Sequence, residues 1–166
     1  MRTLATAVVA RLEQTQSEFD RGMTRLVWSN AGHPPPLVIH PDGRQQVLDE
    51  RRAELLLGVD PETPRTEQTI TLERDATVLL YSDGLVERRD ADLDAGLARL
   101  QQVVRDLEGS TLDELCDGLI ERLVDGHPDD DVALAAIRLF RQDQPRPAEA
   151  GPNDVPPGVP PDHPAP

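Results

Sequence analysis

Val78-Leu79-Leu80-Tyr81-Ser82-Asp83-Gly84-Leu85-Val86-Glu87 is the stretch on which the reading of this chain turns. With Ala76 and Thr77 ahead of it, its first half is a continuous strand pattern of the kind buried on both faces. The run then breaks at Ser-Asp-Gly. A carboxylate at a strand end is held by the rigid sheet, while the following loop leaves room for a ligand. A second acidic cluster, Asp129-Asp130-Asp131, stands just before another apolar run, Val132 to Ile137. Carboxylates gathered in one place repel each other unless a cation lies between them, and hard divalent metals with oxygen ligands are the natural guests. The two clusters point to a metal site and supply only part of one.

Upstream of this stretch the pattern is dominated by strands. Leu4 to Leu12 reads as a strand that begins almost at the first residue, which hints at missing upstream structure. Gly22 turns the chain, and Arg25 to Ser29 forms a second strand of aromatic and β-branched character. Ala31-Gly32-His33-Pro34-Pro35-Pro36 is a stiff loop, because three prolines fix φ and remove three donors. Leu37-Val38-Ile39 follows as a strand, Pro41-Asp42-Gly43 as a turn, and Gln45 to Leu48 as a hairpin partner. A loop from Leu55 to Pro64 is expected to be anchored by Leu55-Leu56-Leu57 and turned at Gly58. Thr66 to Leu72 alternates as a half-buried strand does.

Downstream the period changes. Leu93, Leu97, Leu100, Val103, Val104 and Leu107 recur at helical spacing until Gly109 stops them. Ser110 or Thr111 caps a second helix, with Glu114 placed for a capping box and a stripe of Leu112, Leu115, Leu119 and Leu123. Val132 to Phe140 is the final strand. Strands, two helices and one more strand give an α+β layout, with the helices packed on a sheet face and their leucines serving as core.

Composition narrows the function. A net charge of −14 with no basic stripe argues against nucleic acid and against an anionic membrane surface. All 17 basic residues are arginine, which we attribute to compositional bias of the source genome. The single cysteine, Cys116, excludes an internal disulfide and reads as a small buried hydrophobe. No leader-like apolar region or membrane-length stretch is visible, so a cytoplasmic protein is expected. Nine of the 16 prolines fall between Pro145 and Pro166. With almost nothing large and apolar beside them, residues 141–166 are expected to form a disordered tail outside a domain of residues 3–140.

WSNAGHPPPLVI, LLLGVD, VLLYSDGLVE, the paired helices and PDDDVALAAI occur in order with compatible gaps. Together they resemble the C-terminal part of PPM-type metal-dependent serine/threonine phosphatases, in their bacterial stage II sporulation protein E-like (SpoIIE) branch. The resemblance implies a β-sandwich flanked by helices, with the N-terminal part of the domain missing. It implies a two-metal site of Mn²⁺ or Mg²⁺, whose bridging water attacks a phosphoserine or phosphothreonine in line. It places Asp83 and Asp130 among the metal ligands, with Gly84 allowing a sharp turn beside the ion. It also implies a phosphorylated protein substrate, such as an anti-sigma-factor antagonist.

The departure from the family pattern matters as much. The family's further aspartates come from earlier strands, one of them in an Asp-x-x-Gly-His-Gly segment that has no counterpart here. Two carboxylates cannot hold two cations that each take about six oxygens. The chain alone is therefore expected to be a poor catalyst, or else a non-catalytic partner or regulatory module. Apart from the resemblance, Asp-Gly reads more simply as a strand-ending turn; with the resemblance, the metal-ligand reading of Asp83 takes precedence. Asp129 and Asp131 read as background, His33 as held by backbone hydrogen bonds, and Trp28 as a packing residue.

Overall fold

A strand with large apolar residues on both faces needs a layer on each side, and Thr77–Tyr81 has both. The computed structural model describes residues 3–49, 55–60, 62–87, 92–124 and 131–140. In chain order the elements are β1 (Ala7–Glu13), α1 (Gln16–Arg21), β2 (Met23–Ala31), β3 (Leu37–Ile39), β4 (Gln45–Val47), β5 (Gln68–Glu73) and β6 (Thr77–Tyr81). A 3-10 turn (Asp83–Leu85), α2 (Leu93–Asp106), α3 (Leu112–Leu123) and β7 (Leu134–Arg138) complete the set. The strands form a three-stranded sheet, β1-β2-β5, and a four-stranded sheet, β4-β3-β6-β7. Every pairing within them is antiparallel.

The period of two sorts the side chains of β3 and β6 into two cores. Val38 and Val78 point toward the three-stranded sheet and meet Leu26, Trp28 and Leu72. Leu37, Leu79 and Tyr81 point the other way and meet Leu100, Val104, Leu115 and Leu119 of the helices. The result is a three-layer α+β arrangement of helices, four-stranded sheet and three-stranded sheet, as the sequence predicts. Each fully buried leucine contributes roughly 1.5–3 kcal/mol relative to an exposed one, so β6 is fixed from both sides. Among the described residues, no helix is long and apolar enough to cross a membrane.

Several details depart from the sequence reading. Helix α1 was not predicted; Thr15 and Glu18 form a full capping box at its start, and Gly22 closes it at φ 70°. The chain therefore turns at Gly22 by ending a helix. Leu55 and Leu57 are 46% and 42% exposed, so they do not anchor their loop by burial; Leu57 is held by a backbone bridge to Ala5. Cys116 is half-exposed, not buried, and its partial desolvation, with Asp113 and Asp117 nearby, pushes the thiol pKa up. The last strand is shorter than expected, and Phe140 beyond it is 65% exposed. The proline-rich residues 141–166 lie outside the described residues.

The cap of α3 follows the sequence reading: Thr111 is the N-cap and Glu114 closes the box. Hydrogen bonds from the Thr111 backbone and hydroxyl hold the Glu114 carboxyl pKa below its ordinary value. A depressed carboxyl pKa means stability present above the unfolded-state pKa and lost as pH falls through the folded one. Between about pH 6 and pH 3, the native chain should therefore lose more stability than Glu114→Gln, read as urea midpoints. Equal losses in the two proteins would remove this cap from the acid limb.

Candidate functional site

Beyond Tyr81 the chain leaves the sheet through Ser82, whose extended backbone (φ −74°, ψ 162°) starts the 3-10 turn. The Asp83 carbonyl accepts hydrogen bonds from the amides of Val86 (2.8 Å) and Glu87 (2.7 Å). The Asp83 carboxylate accepts one from the Gly84 amide at 2.9 Å. Leu85 and Val86 are buried against the core that Leu79 and Leu100 share, which fixes the turn from beneath. Gly84 lies within this tight right-handed turn and has no positive φ, so the sharp turn is made without left-handed backbone. The half-buried Asp83 side chain is thus set at the end of the central strand.

Ser82 also ties in the second acidic cluster. Its amide donates to the Ala133 carbonyl at 2.9 Å, one step beyond the Tyr81–Leu134 pair. Its hydroxyl donates to the Asp131 carbonyl at 2.9 Å and accepts from the Ala133 amide at 2.8 Å. Asp131 is thereby brought to the strand end that carries Asp83. Asp130 lies outside the described residues, and with it the expected closeness of Asp83 and Asp130.

The His33 loop reaches the same end of the sheet. The buried Tyr81 hydroxyl donates to the Pro35 carbonyl at 2.6 Å, and burial pushes the phenol pKa up. Asn30 grips His33 on both sides, accepting from its amide and donating to its carbonyl, each at 2.8 Å. The imidazole Nδ1 is 3.1 Å from the Thr6 hydroxyl. His33 is a held loop residue, but the partners that hold it are the Asn30 and Thr6 side chains, where backbone partners were expected.

The oxygen chemistry of Asp83 suits a hard divalent cation in kind. In number it falls short: no group of three or more His, Cys, Asp or Glu side chains that could hold a metal occurs among the described residues. The described donor set does not fit one such ion by itself, still less a pair.

Two contributors escaped the sequence reading. Ser82 acts on partners about fifty positions away, which no local pattern reveals. Gly96, in the first turn of α2, lies against the Val86 carbonyl and lets the helix close on the Asp83 turn. A glycine inside a helical pattern was the available signal for it.

A family model described as Stage II sporulation protein E (SpoIIE) matches residues 2–140. Among solved structures, the chain is similar to the RsbU and RsbW domains of Rv1364c from Mycobacterium tuberculosis, at 28% identity and a TM-score of 0.66 over 86% of this chain and 37% of that one. It is similar in fold to the phosphatase domain of SpoIIE from Bacillus subtilis in a Mn-presoaked form. There the identity is 16% and the TM-score 0.60, over 92% of this chain and 62% of that one. A phosphatase from Toxoplasma gondii shares the fold at 14% identity and a TM-score of 0.56, over 85% of this chain and 65% of that one. The chain thus spans less than two thirds of the length of each of these structures. Its two antiparallel sheets and helical layer match part of a phosphatase domain.

Proposed function

The chain belongs to the stage II sporulation protein E family, and from that premise we propose that it supplies part of a metal-dependent protein serine/threonine phosphatase. Asp83 and Asp130 are assigned as carboxylate ligands, with Mn²⁺ or Mg²⁺ as the metal. The substrate is a phosphoserine or phosphothreonine in a bacterial signalling protein, such as an anti-sigma-factor antagonist. When bound, such metals lower the pKa of water and neutralise phosphoryl charge. What this chain's own residues do is narrower. The 3-10 turn orients Asp83, Ser82 gathers the segment after Asp130, and the buried Leu85 and Val86 hold the corner rigid.

The observation that carries this reading is the pair of hydroxyl bonds from Ser82, which bring the Asp131 backbone beside the turn that carries Asp83. In a chain of net charge −14, acidic segments meeting at one corner favour a cation there. A second reading, a non-catalytic module that keeps the fold, is favoured by the short donor set among the described residues.

Mn²⁺ titration followed by electron paramagnetic resonance, with p-nitrophenyl phosphate turnover alongside, tests both. The 166-residue polypeptide should bind Mn²⁺ weakly and turn over barely above background. Asp83→Asn and Asp130→Asn should each remove the specific Mn²⁺ signal. Unchanged Mn²⁺ binding in Asp83→Asn would overturn the ligand assignment. Robust turnover by the polypeptide alone would instead overturn the argument from ligand number.

A further inference from the structure

At the end of β6 away from Asp83, one row of the four-stranded sheet carries a polar residue at each edge. Gln45 pairs with Ile39, Ile39 with Thr77, and Thr77 with Arg138. Leu37 and Leu79, two positions from Ile39 and Thr77, face the helices, so this row does too. Between the row and the α2–α3 layer lies a cavity of about 210 Å³, with Ile39, Val104, Leu107 and Leu115 as its apolar lining. That is room for about seven waters at ~30 Å³ each. An apolar cavity with a few convergent polar groups is the usual form of a small-molecule site. We propose that this cavity binds a small zwitterion, a free amino acid with an aliphatic side chain, between Arg138 at one end and Gln45 with Glu108 at the other.

Each polar end has bonding capacity that the protein leaves unused. Arg138 is half-buried and held by two bonds: Nε donates to the Thr77 hydroxyl at 2.9 Å and Nη1 to the Ser110 carbonyl at 3.3 Å. A guanidinium carries further donors, and Arg138 forms no ion pair with a carboxylate among the described residues. At the hairpin end the polarity reverses. Gln45 Nε2 donates to the Gln101 carbonyl at 3.0 Å, which fixes the amide and leaves Oε1 buried without a partner. A buried acceptor left unmet is costly. The Glu108 carboxylate lies over the same turn: a Cβ added at Gly43 would stand 2.9 Å from its Oε1. A ligand carboxylate suits the Arg138 fork, an ammonium suits the two acceptors, and an aliphatic side chain suits the lining. Three strand spacings separate the ends by about 14 Å at the backbone, and the long Arg138 and Gln45 side chains narrow that gap to the reach of one small molecule. His40 and Arg105, also on the rim, are engaged with Gln46 and Gln102. Water alone would satisfy the Gln45 oxygen but leave Arg138 without a counter-ion and the apolar lining wet.

The test uses the full chain and amide NMR shifts, with L-leucine as the probe. Isocaproate is leucine without its ammonium, and isoamylamine is leucine without its carboxylate. Leucine should shift the amides of Gln45, Ser110 and Arg138 saturably, and each analogue should bind at least about tenfold more weakly. Glu108→Gln, a change at an exposed residue, should weaken leucine and spare isocaproate. Arg138→Met should weaken both at least about tenfold, with the urea midpoint reading the fold. Should Arg138→Met not fold, the analogues and Glu108→Gln still decide. No saturable shift at millimolar leucine, or shifts confined to another surface, would overturn the site. Either analogue binding as tightly as leucine would overturn the zwitterion assignment, and so would leucine affinity unchanged in both variants.

Discussion

Gly96→Ala destabilises the protein by about 2 kcal/mol, although helix propensity alone favours the exchange by about 1 kcal/mol. An added Cβ at this position would fall on the carbonyl oxygen of Val86 and 2.8 Å from its carbon. A backbone carbonyl cannot swing aside as a side chain can. Relief requires either α2 or the loop after Asp83 to move, yet Val86 is 3% exposed and Leu100, one turn along α2, is fully buried. The strain therefore spreads into the helix-side core. Gly118→Ala is the matched control, since its Cβ would meet only the tip of the Leu107 side chain, at 2.8 Å. That side chain can rotate, so propensity should decide and the change should stay within about 1 kcal/mol of neutral. Urea unfolding of the two variants makes the comparison. A Gly96→Ala protein at least as stable as the native one would show that the close approach is not a constraint.

Leu79→Ala should cost still more, about 3–4 kcal/mol. Leu79 is fully buried at the centre of β6, on the face that packs against Leu100 and Leu119. Removing its isobutyl group leaves a cavity between a sheet paired on both sides and a helix layer, neither of which can collapse freely. Ile137→Ala, on the adjoining β7, removes a similar volume from a residue that is 40% exposed and should cost under about 1 kcal/mol. Thermal or chemical unfolding separates these cases. A similar loss at both positions would contradict the layer assignment. Loss at neither would contradict the burial of β6.

What could be read from the sequence was what is encoded locally. The helices α2 and α3 announced themselves by leucine spacing and the Thr111–Glu114 box, and β6 by its unbroken apolar run. Helix α1 has no buried residue, so it carries no apolar stripe to detect. Only its capping box, Thr15 with Glu18, was available as a signal. The Leu55–Leu57 run is the opposite case: it is apolar throughout, yet Leu55 and Leu57 are exposed and only Leu56 is partly buried. The site divides in the same way. Asp83 was legible because strand, acid and turn are contiguous. The Ser82 contacts join residues 49 and 51 positions apart, and they exist only once β7 has paired with β6. The sharp turn expected at Gly84 is there, as a right-handed 3-10 turn with no positive φ.

The strand order has a consequence for how the molecule assembles. β1 and β2 are joined through one short helix, so their pairing closes a small loop and is kinetically cheap. β6 has no such neighbour on its outer edge: Thr77 pairs with Arg138, 61 positions later, with both helices in between. That closure carries the larger entropic cost, and pairings of high sequence separation slow folding. Until β7 arrives, the apolar central strand presents a bare hydrogen-bonding edge, the feature through which unfinished sheets find each other. The Ser82 contacts that bring Asp131 to the Asp83 turn form in that same event, so this corner depends on a pairing of long sequence separation.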